Sequence, residues 1–314
     1  MLEFVEAHAI KFVYLSDRPY RSSLYKNIRR KGVQIIVNHD HSPGYPTLIS
    51  TLLRLPRNIV YRKSQSACDK YIAVSQFVYQ KMVNLAGIPE ERCRVIQNGI
   101  PLADTRGDDE RDYRSILNLP GDAFLIITVG RASVYKGIDF LIDCAHKLII
   151  EESMSDLHFI FCGDGPDLER FRNMVTGKSL QGRFHCLGHR RDIGAILRDC
   201  DLAIHASPSE ACSLSILEYM SAGLAILAPP VGGNTEQLTD NETGMFYQFR
   251  NKADLVTKIR FLYQNPEVRK AMGVKAARIV GEKFSLELMN RRFREVIVDT
   301  LGCGNSPISN GSQK

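Results

Sequence analysis

Two glutamates in the stretch EACSLSILEYMSAG, Glu210 and Glu218, have seven residues between them. The first follows the apolar run DLAIHASPS and the second falls inside a segment of helical character. In a loop, Glu210 can accept hydrogen bonds from the hydroxyls of a ligand, and Ser213 can cap a helix beginning LSILEYM, so that the amides of Ser213 and Leu214 face an anion. Glu218 lies about a turn and a half into that helix, among Leu214, Ile216, Leu217 and Met220. A carboxylate in such company costs roughly several kcal/mol unless something hydrogen-bonds it, such as a ribose; a solvent-facing stripe of an amphipathic helix is the other reading.

A second set of residues is cationic. Gly130, Arg131 and Lys136 follow the apolar run FLIITVG and lead into a helix. Fixed Arg and Lys side chains beside helix-terminal N–H groups suit a diphosphate, although a solvated basic loop has the same composition. FCGDGPDLE repeats the arrangement, with Gly163 and Gly165 permitting a tight backbone and Asp164 or Asp167 able to cap the next helix; capping is the favoured role for Asp167. VGGNTEQL (231–238) sets two more glycines at a helix start. Four strand ends thus carry groups suited to phosphates or hydroxyls, a combination more specific than any one member. The one Asp-x-Asp, Asp199-Cys200-Asp201, sits where a helix ends and a strand begins, and reads as structural.

The elements that must position these residues are legible from residue 124 onward, where short apolar runs alternate with amphipathic segments, the pattern of βαβ units on a parallel sheet. Strands are predicted at 124–130, 157–163, 183–188, 201–207, 224–230 and 245–247, a complete doubly wound domain of the Rossmann type. Upstream, strands at 10–16, 33–39, 71–75 and 94–99, with helices over SSLYKNIRRK and QFVYQKMVNLAG, are too few for a second full domain of that kind. The predicted organisation is therefore an incomplete N-terminal domain (1–101), a polar linker (102–123), a C-terminal domain (124–283), a further amphipathic helix (284–301) and a disordered tail (302–314).

The 314 residues, 44% of them apolar, suffice for two domains with their own cores. A formal charge of +6 with 24% charged residues is too dilute for a protein that wraps nucleic acid; a phosphate-bearing ligand or an anionic membrane surface accounts for it better. The eight cysteines show no CxxC and no metal-type pairing with histidine, and read as buried free thiols in a reducing cytosol. No apolar run reaches the length of a membrane span, and the start MLEFVEAHAIKF lacks the features of a signal peptide, so a cytoplasmic protein is expected. SSLYKNIRRKG (22–32) is the densest basic stretch; a solvated helix face explains it, and an electrostatic seat on anionic lipid is the alternative.

GRASVYKG, GDGP, SPSEACSLSILEYMSAG and APPVGGNTEQLTDNETGMFY together resemble glycosyltransferase family 4. The resemblance extends upstream through YIAVSQFVYQKMVNLAGIPEERCRVIQNGI, with Ser75 and Asn98-Gly99 in the family's usual places, and so covers residues from about 10 to 300. It implies a GT-B fold, two facing Rossmann-like domains of which the N-terminal one is shortened here. It also implies a retaining hexosyltransferase using a UDP- or GDP-linked sugar as donor and a glycan or lipid-linked acceptor, in cell-envelope or exopolysaccharide synthesis. By the same resemblance Arg131 and Lys136 hold the diphosphate, Glu210 binds hydroxyls of the transferred sugar, Glu218 binds the ribose, and the loop at 187–191, His189 above all, lies near the base. His39 in VNHDHSPG matches the family's histidine that faces the sugar, with His41 as an alternative. The terminal helix FSLELMNRRFREVI crosses back to brace the N-terminal domain. No cofactor is implied and no metal is required, since fixed cations stabilise the departing diphosphate. Ala211 and Ser213 stand where the family usually has glycine, which marks them as the place for a shifted sugar preference. A nucleotide-sugar-binding accessory protein without transfer activity is the competing reading.

Overall fold

The computed structural model describes residues 1–44, 61, 64–102 and 112–302. The chain divides into two compact units, Met1–Asn98 with Glu287–Lys314, and Gly99–Leu286.

The first unit is built on a parallel sheet in the order β1-β2-β3-β4, comprising β1 (Phe12–Ser16), β2 (Ile35–Asp40), β3 (Lys70–Ala73) and β4 (Cys93–Val95). Val37, Ile72 and Ile96 form an apolar face, and Met289, Phe293, Val296 and Ile297 of the helix Leu286–Leu301 pack on it, which gives that amphipathic helix its partner. The expected helix over QFVYQKMVNLAG is interrupted: an α-helix, Gln76–Gln80, capped by Ser75, passes into a π-turn at Lys81–Leu85. In the basic helix Ser23–Arg30, Tyr25 and Ile28 are buried and Arg29 is ion-paired with Asp69 at 2.7 Å; just beyond it, Lys31 pairs with Glu6 at 2.6 Å.

The second unit holds six parallel strands in the order β10-β9-β8-β5-β6-β7. They are β5 (Phe124–Val129), β6 (Leu157–Cys162), β7 (Phe184–Gly188), β8 (Leu202–Ile204), β9 (Ala225–Ala228) and β10 (Met245–Phe246). From β5 the chain steps outward to β7, then returns to the other side of β5 and steps outward again to β10. The connections leaving β5 and β8 therefore diverge, and a crevice opens beyond the carboxyl ends of these two neighbours. Alternating side chains bury both faces of the sheet. Ile126, Phe159 and Phe161 belong to one core, and Ile127, Ile160 and Ile216 to the other.

Of the expected linker, 102–123, residues 103–111 lie outside the described residues, and Leu102 and 112–123 belong to the second unit. Tyr113 is buried there; its amide donates to Asp199 Oδ2 at 2.6 Å, and its hydroxyl is bonded by Arg190 and Asp192. Arg114 reaches Asp201 Oδ2 at 3.0 Å, and the same carboxylate accepts from the Leu125 amide at 2.9 Å, so the Asp-x-Asp pair is spent on holding this segment and the start of β5. The expected tail lies, from residue 303 on, outside the described residues. The seven described cysteines are free thiols, six of them buried. Among the described residues no helix is long and apolar enough to cross a membrane.

Candidate active site

The loops at the carboxyl edge of the second sheet are welded to each other through their backbones. Gly130 N–H donates to the Cys162 carbonyl at 3.0 Å, Gly163 N–H to the Gly188 carbonyl at 2.8 Å, and Ala132 N–H to the Asp164 carbonyl at 2.9 Å. Gly163 is required by this contact, since a Cβ there would lie 1.7 Å from the Gly130 carbonyl oxygen, whereas a Cβ on Gly130 would meet nothing within 4 Å. Asp167 occupies the N-cap position of the helix Leu168–Gly177 but makes no cap bond; its Oδ2 accepts from the Val134 amide at 2.9 Å. Its role is thus corrected from capping its own helix to bracing the loop between Arg131 and Lys136.

Lys136 closes that loop in a 3-10 turn, Val134–Lys136, before the helix Ile138–His146. Its Nζ lies 2.5 Å from Glu210 Oε1, joining the ends of β5 and β8 across the crevice. His205, the residue after β8, puts Nε2 3.2 Å from the same oxygen, within reach of its charge but without the alignment of a hydrogen bond. Burial alone would raise the Glu210 pKa, and the neighbouring His205 and Lys136 outweigh it, lowering it to about 2. The Glu210 loop is fixed from behind by the turn after β9. Gly233 N–H donates to the Glu210 carbonyl at 2.8 Å, and Cβ atoms on Gly232 and Gly233 would lie 2.2 and 1.9 Å from the carbonyl oxygens of Glu210 and Ala211.

The helix Leu214–Ser221 starts at Ser213, whose hydroxyl accepts from the Ile216 amide at 3.4 Å. The reading that both first amides face an anion needs correction at Ser213. Its N–H donates to Gln237 Oε1 at 2.9 Å, and its carbonyl accepts from Gln237 Nε2 at 2.8 Å, because a buried peptide must be paired. Tyr219 of the same helix receives the Val129 amide on its hydroxyl at 2.6 Å, tying the helix to the end of β5. Ile216, Leu217, Tyr219 and Met220 are buried, Leu214 is exposed, and Glu218 is half-buried between them. No donor among the described residues bonds the Glu218 carboxylate, and burial raises its pKa.

Arg131 and His189 are exposed at the same edge, Arg131 without an ion pair among the described residues. His39 lies in the first unit, at the carboxyl-terminal part of β2. Its Nδ1 is 2.6 Å from the Tyr14 hydroxyl, its ring stacks on Phe293 with centroids 6.4 Å apart, and its buried Nε2 has no partner among the described residues. Burial, and secondarily His41, lower its pKa to about 4, so the ring is neutral at physiological pH. The structure thus brings Lys136 and Glu210 together, sets Gly130 on Gly163, and leaves Arg131 and His189 without a side-chain partner among the described residues. Sequence reasoning missed His205, Gln237 and the bracing role of Asp167. A histidine closing an apolar strand just before the loop of a candidate glutamate was the available signal for the first. Among the described residues no group of three or more His, Cys, Asp or Glu is arranged to hold a metal ion.

Residues 109–279, more than half of the chain, match the family model for glycosyl transferases group 1, and residues 19–104 that for glycosyltransferase family 4. An uncharacterized glycosyltransferase of Methanocaldococcus jannaschii is 27% identical over 230 residues, 72% of this chain and 58% of the relative. The phosphatidylinositol N-acetylglucosaminyltransferase GPI3 subunit of Saccharomyces cerevisiae is 30% identical over 190 residues, 60% of this chain and 41% of the relative. The chain thus spans about half the length of the curated relatives it matches. Among solved structures, that of Anabaena Alr3699/HepE in complex with UDP shares the fold at a TM-score of 0.78 and 22% identity, over 95% of this chain and 82% of that one. With these matches laid over two parallel-sheet units and a crevice at the β5/β8 switch point, the chain belongs to the glycosyl transferases group 1, as a family 4 member of GT-B fold.

Proposed function

We propose that this chain transfers a sugar from a UDP- or GDP-linked donor to a glycan or lipid-linked acceptor, with retention at the anomeric carbon. The observation that carries the reading is the Lys136–Glu210 pair at the switch point, 2.5 Å apart: a cation suited to phosphate beside a carboxylate suited to hydroxyls supports a site for a diphosphate–sugar junction. The similarity to a structure solved with UDP supports the donor class, and the printed name of the yeast relative supports a lipid acceptor.

In the proposed reaction the bond between the anomeric carbon and the diphosphate breaks, the acceptor hydroxyl oxygen bonds to that carbon on the same face and gives its proton to the departing phosphate, and negative charge builds on that phosphate as it leaves. Arg131, Lys136 and the Leu214 amide stabilise that charge, the contribution expected to be largest. Glu210 orients the sugar through its hydroxyls, Glu218 accepts from the ribose, and His189 neighbours the base. In the first unit, His39 offers a neutral imidazole with one ring nitrogen unbonded among the described residues, a group suited to a sugar hydroxyl.

A panel of UDP- and GDP-sugars, followed for hydrolysis and transfer with the product anomer read by NMR, tests this reading. At least one donor is turned over with the anomeric configuration kept, and Lys136→Ala lowers that turnover by about 10²-fold. Nucleotide binding without turnover of any donor would make the chain an accessory protein, and an inverted product would overturn the retaining assignment.

A further inference from the structure

Lys136 and His205 approach one oxygen of Glu210, at 2.5 and 3.2 Å, and a diphosphate would compete for only one of them. A lysine ammonium facing a chain of charged phosphate oxygens turns toward them, leaving Glu210 with the neighbour that has no reason to move. His205 is built to stay. Its side chain is 5% exposed; its backbone N–H donates to the Leu227 carbonyl at 2.8 Å, and its carbonyl accepts from the Tyr247 hydroxyl at 3.0 Å. Its Nδ1 faces the Ser215 hydroxyl at 3.5 Å, and that hydroxyl is 3.0 Å from Ser213 Oγ at the cap of the Glu218 helix. A hydroxyl donating to Nδ1 selects the tautomer with its proton on Nε2, the nitrogen that faces Glu210. That buried Nε2 has no hydrogen-bond partner among the described residues, and Glu210 Oε1, 3.2 Å away, is the carboxylate oxygen it faces.

We propose that His205 is a positioning residue for Glu210, holding the sugar-facing carboxylate at the end of β8 while Lys136 is drawn to the diphosphate. The proposal rests on the donor-site reading above. The test compares wild type, His205→Ala and His205→Gln in two measurements: calorimetric binding of UDP and GDP, and steady-state hydrolysis of UDP-glucose and GDP-mannose. His205→Ala is expected to bind the bare nucleotide within about twofold of wild type but to turn over the sugar donor roughly 10- to 10²-fold more slowly, the scale of a misplaced orienting group. The Gln amide N–H reaches the place of Nε2, so His205→Gln recovers turnover to within about threefold. Wild-type turnover in His205→Ala overturns the proposal. So does an equal loss of bare-nucleotide binding, or a His205→Gln variant no better than Ala, since either makes the residue packing alone. A wild-type chain that binds neither nucleotide overturns the donor-site reading instead.

Discussion

Glu210 and Glu218 are chemically identical, and their surroundings drive them apart. Desolvation raises both, but Glu210 has His205 and Lys136 beside it and falls to about 2, whereas Glu218 has no donor among the described residues and stays raised. For Glu210 the folded pKa lies below the unfolded one, so its stabilisation is present above the ordinary carboxylate range and is lost as pH falls toward 2. For Glu218 the sign reverses: the folded state holds the proton more tightly, and stability is lost as pH rises through its raised pKa. Glu218→Gln removes that cost. It should raise the melting temperature of the ligand-free protein at pH 8 by roughly 2–4 °C, taking about 1 kcal/mol for a unit of this size, with the gain vanishing near pH 4. The same variant should weaken UDP or GDP binding about tenfold through the lost ribose contact. A melting temperature that falls at pH 8 would show Glu218 to be bonded rather than waiting for a ligand. At this scale Glu210 and Lys136 were legible as charges in the segments after apolar strands, and Glu218 as a charge among the apolar residues of a helix. His205 was not, because its meeting with Glu210 depends on a loop that folds back across five positions.

The carboxyl-edge loops owe their shape to backbone contact that admits no side chain. Gly233 touches the Ala211 carbonyl and Gly163 the Gly130 carbonyl, so the order of glycines along the chain is a map of which loops meet. Gly233→Ala forces a Cβ to within 1.9 Å of a carbonyl oxygen and should cost at least about 2 kcal/mol, a fall of roughly 4–8 °C in melting temperature. Gly130→Ala, with nothing within 4 Å, should leave the melting temperature within about 1 °C. Equal effects of the two in a thermal scan would contradict this account of the loops. The buried strands were readable as apolar runs, since both faces of a parallel sheet are covered. Their ends were not: the run DLAIHAS continues to residue 207, while pairing stops at Ile204, where the chain turns to present the Glu210 loop. The π-turn after Gln80 and the bond from the Val134 amide to Asp167 likewise have no local signature.

Across the whole chain, the strand order places the chemistry. With β8 returning beside β5, the loops carrying Lys136 and Glu210 become neighbours although 74 positions separate them. Periodicity announced the strands but not their order, which is set by which strands pair across the sheet. The mild positive charge is partly paired within the chain: in the basic stretch 22–32, Arg29 pairs with Asp69 and Lys31 with Glu6. The proposed donor site requires the β5/β8 crevice to bind a nucleoside diphosphate, which calorimetric titration of UDP and GDP into the wild-type chain and Lys136→Ala measures. One of the two nucleotides should bind the wild type, and the variant should bind it about 10- to 10²-fold more weakly, as expected for a lost charged hydrogen bond. A wild type that binds neither nucleotide, or a variant that binds as tightly as the wild type, would contradict it.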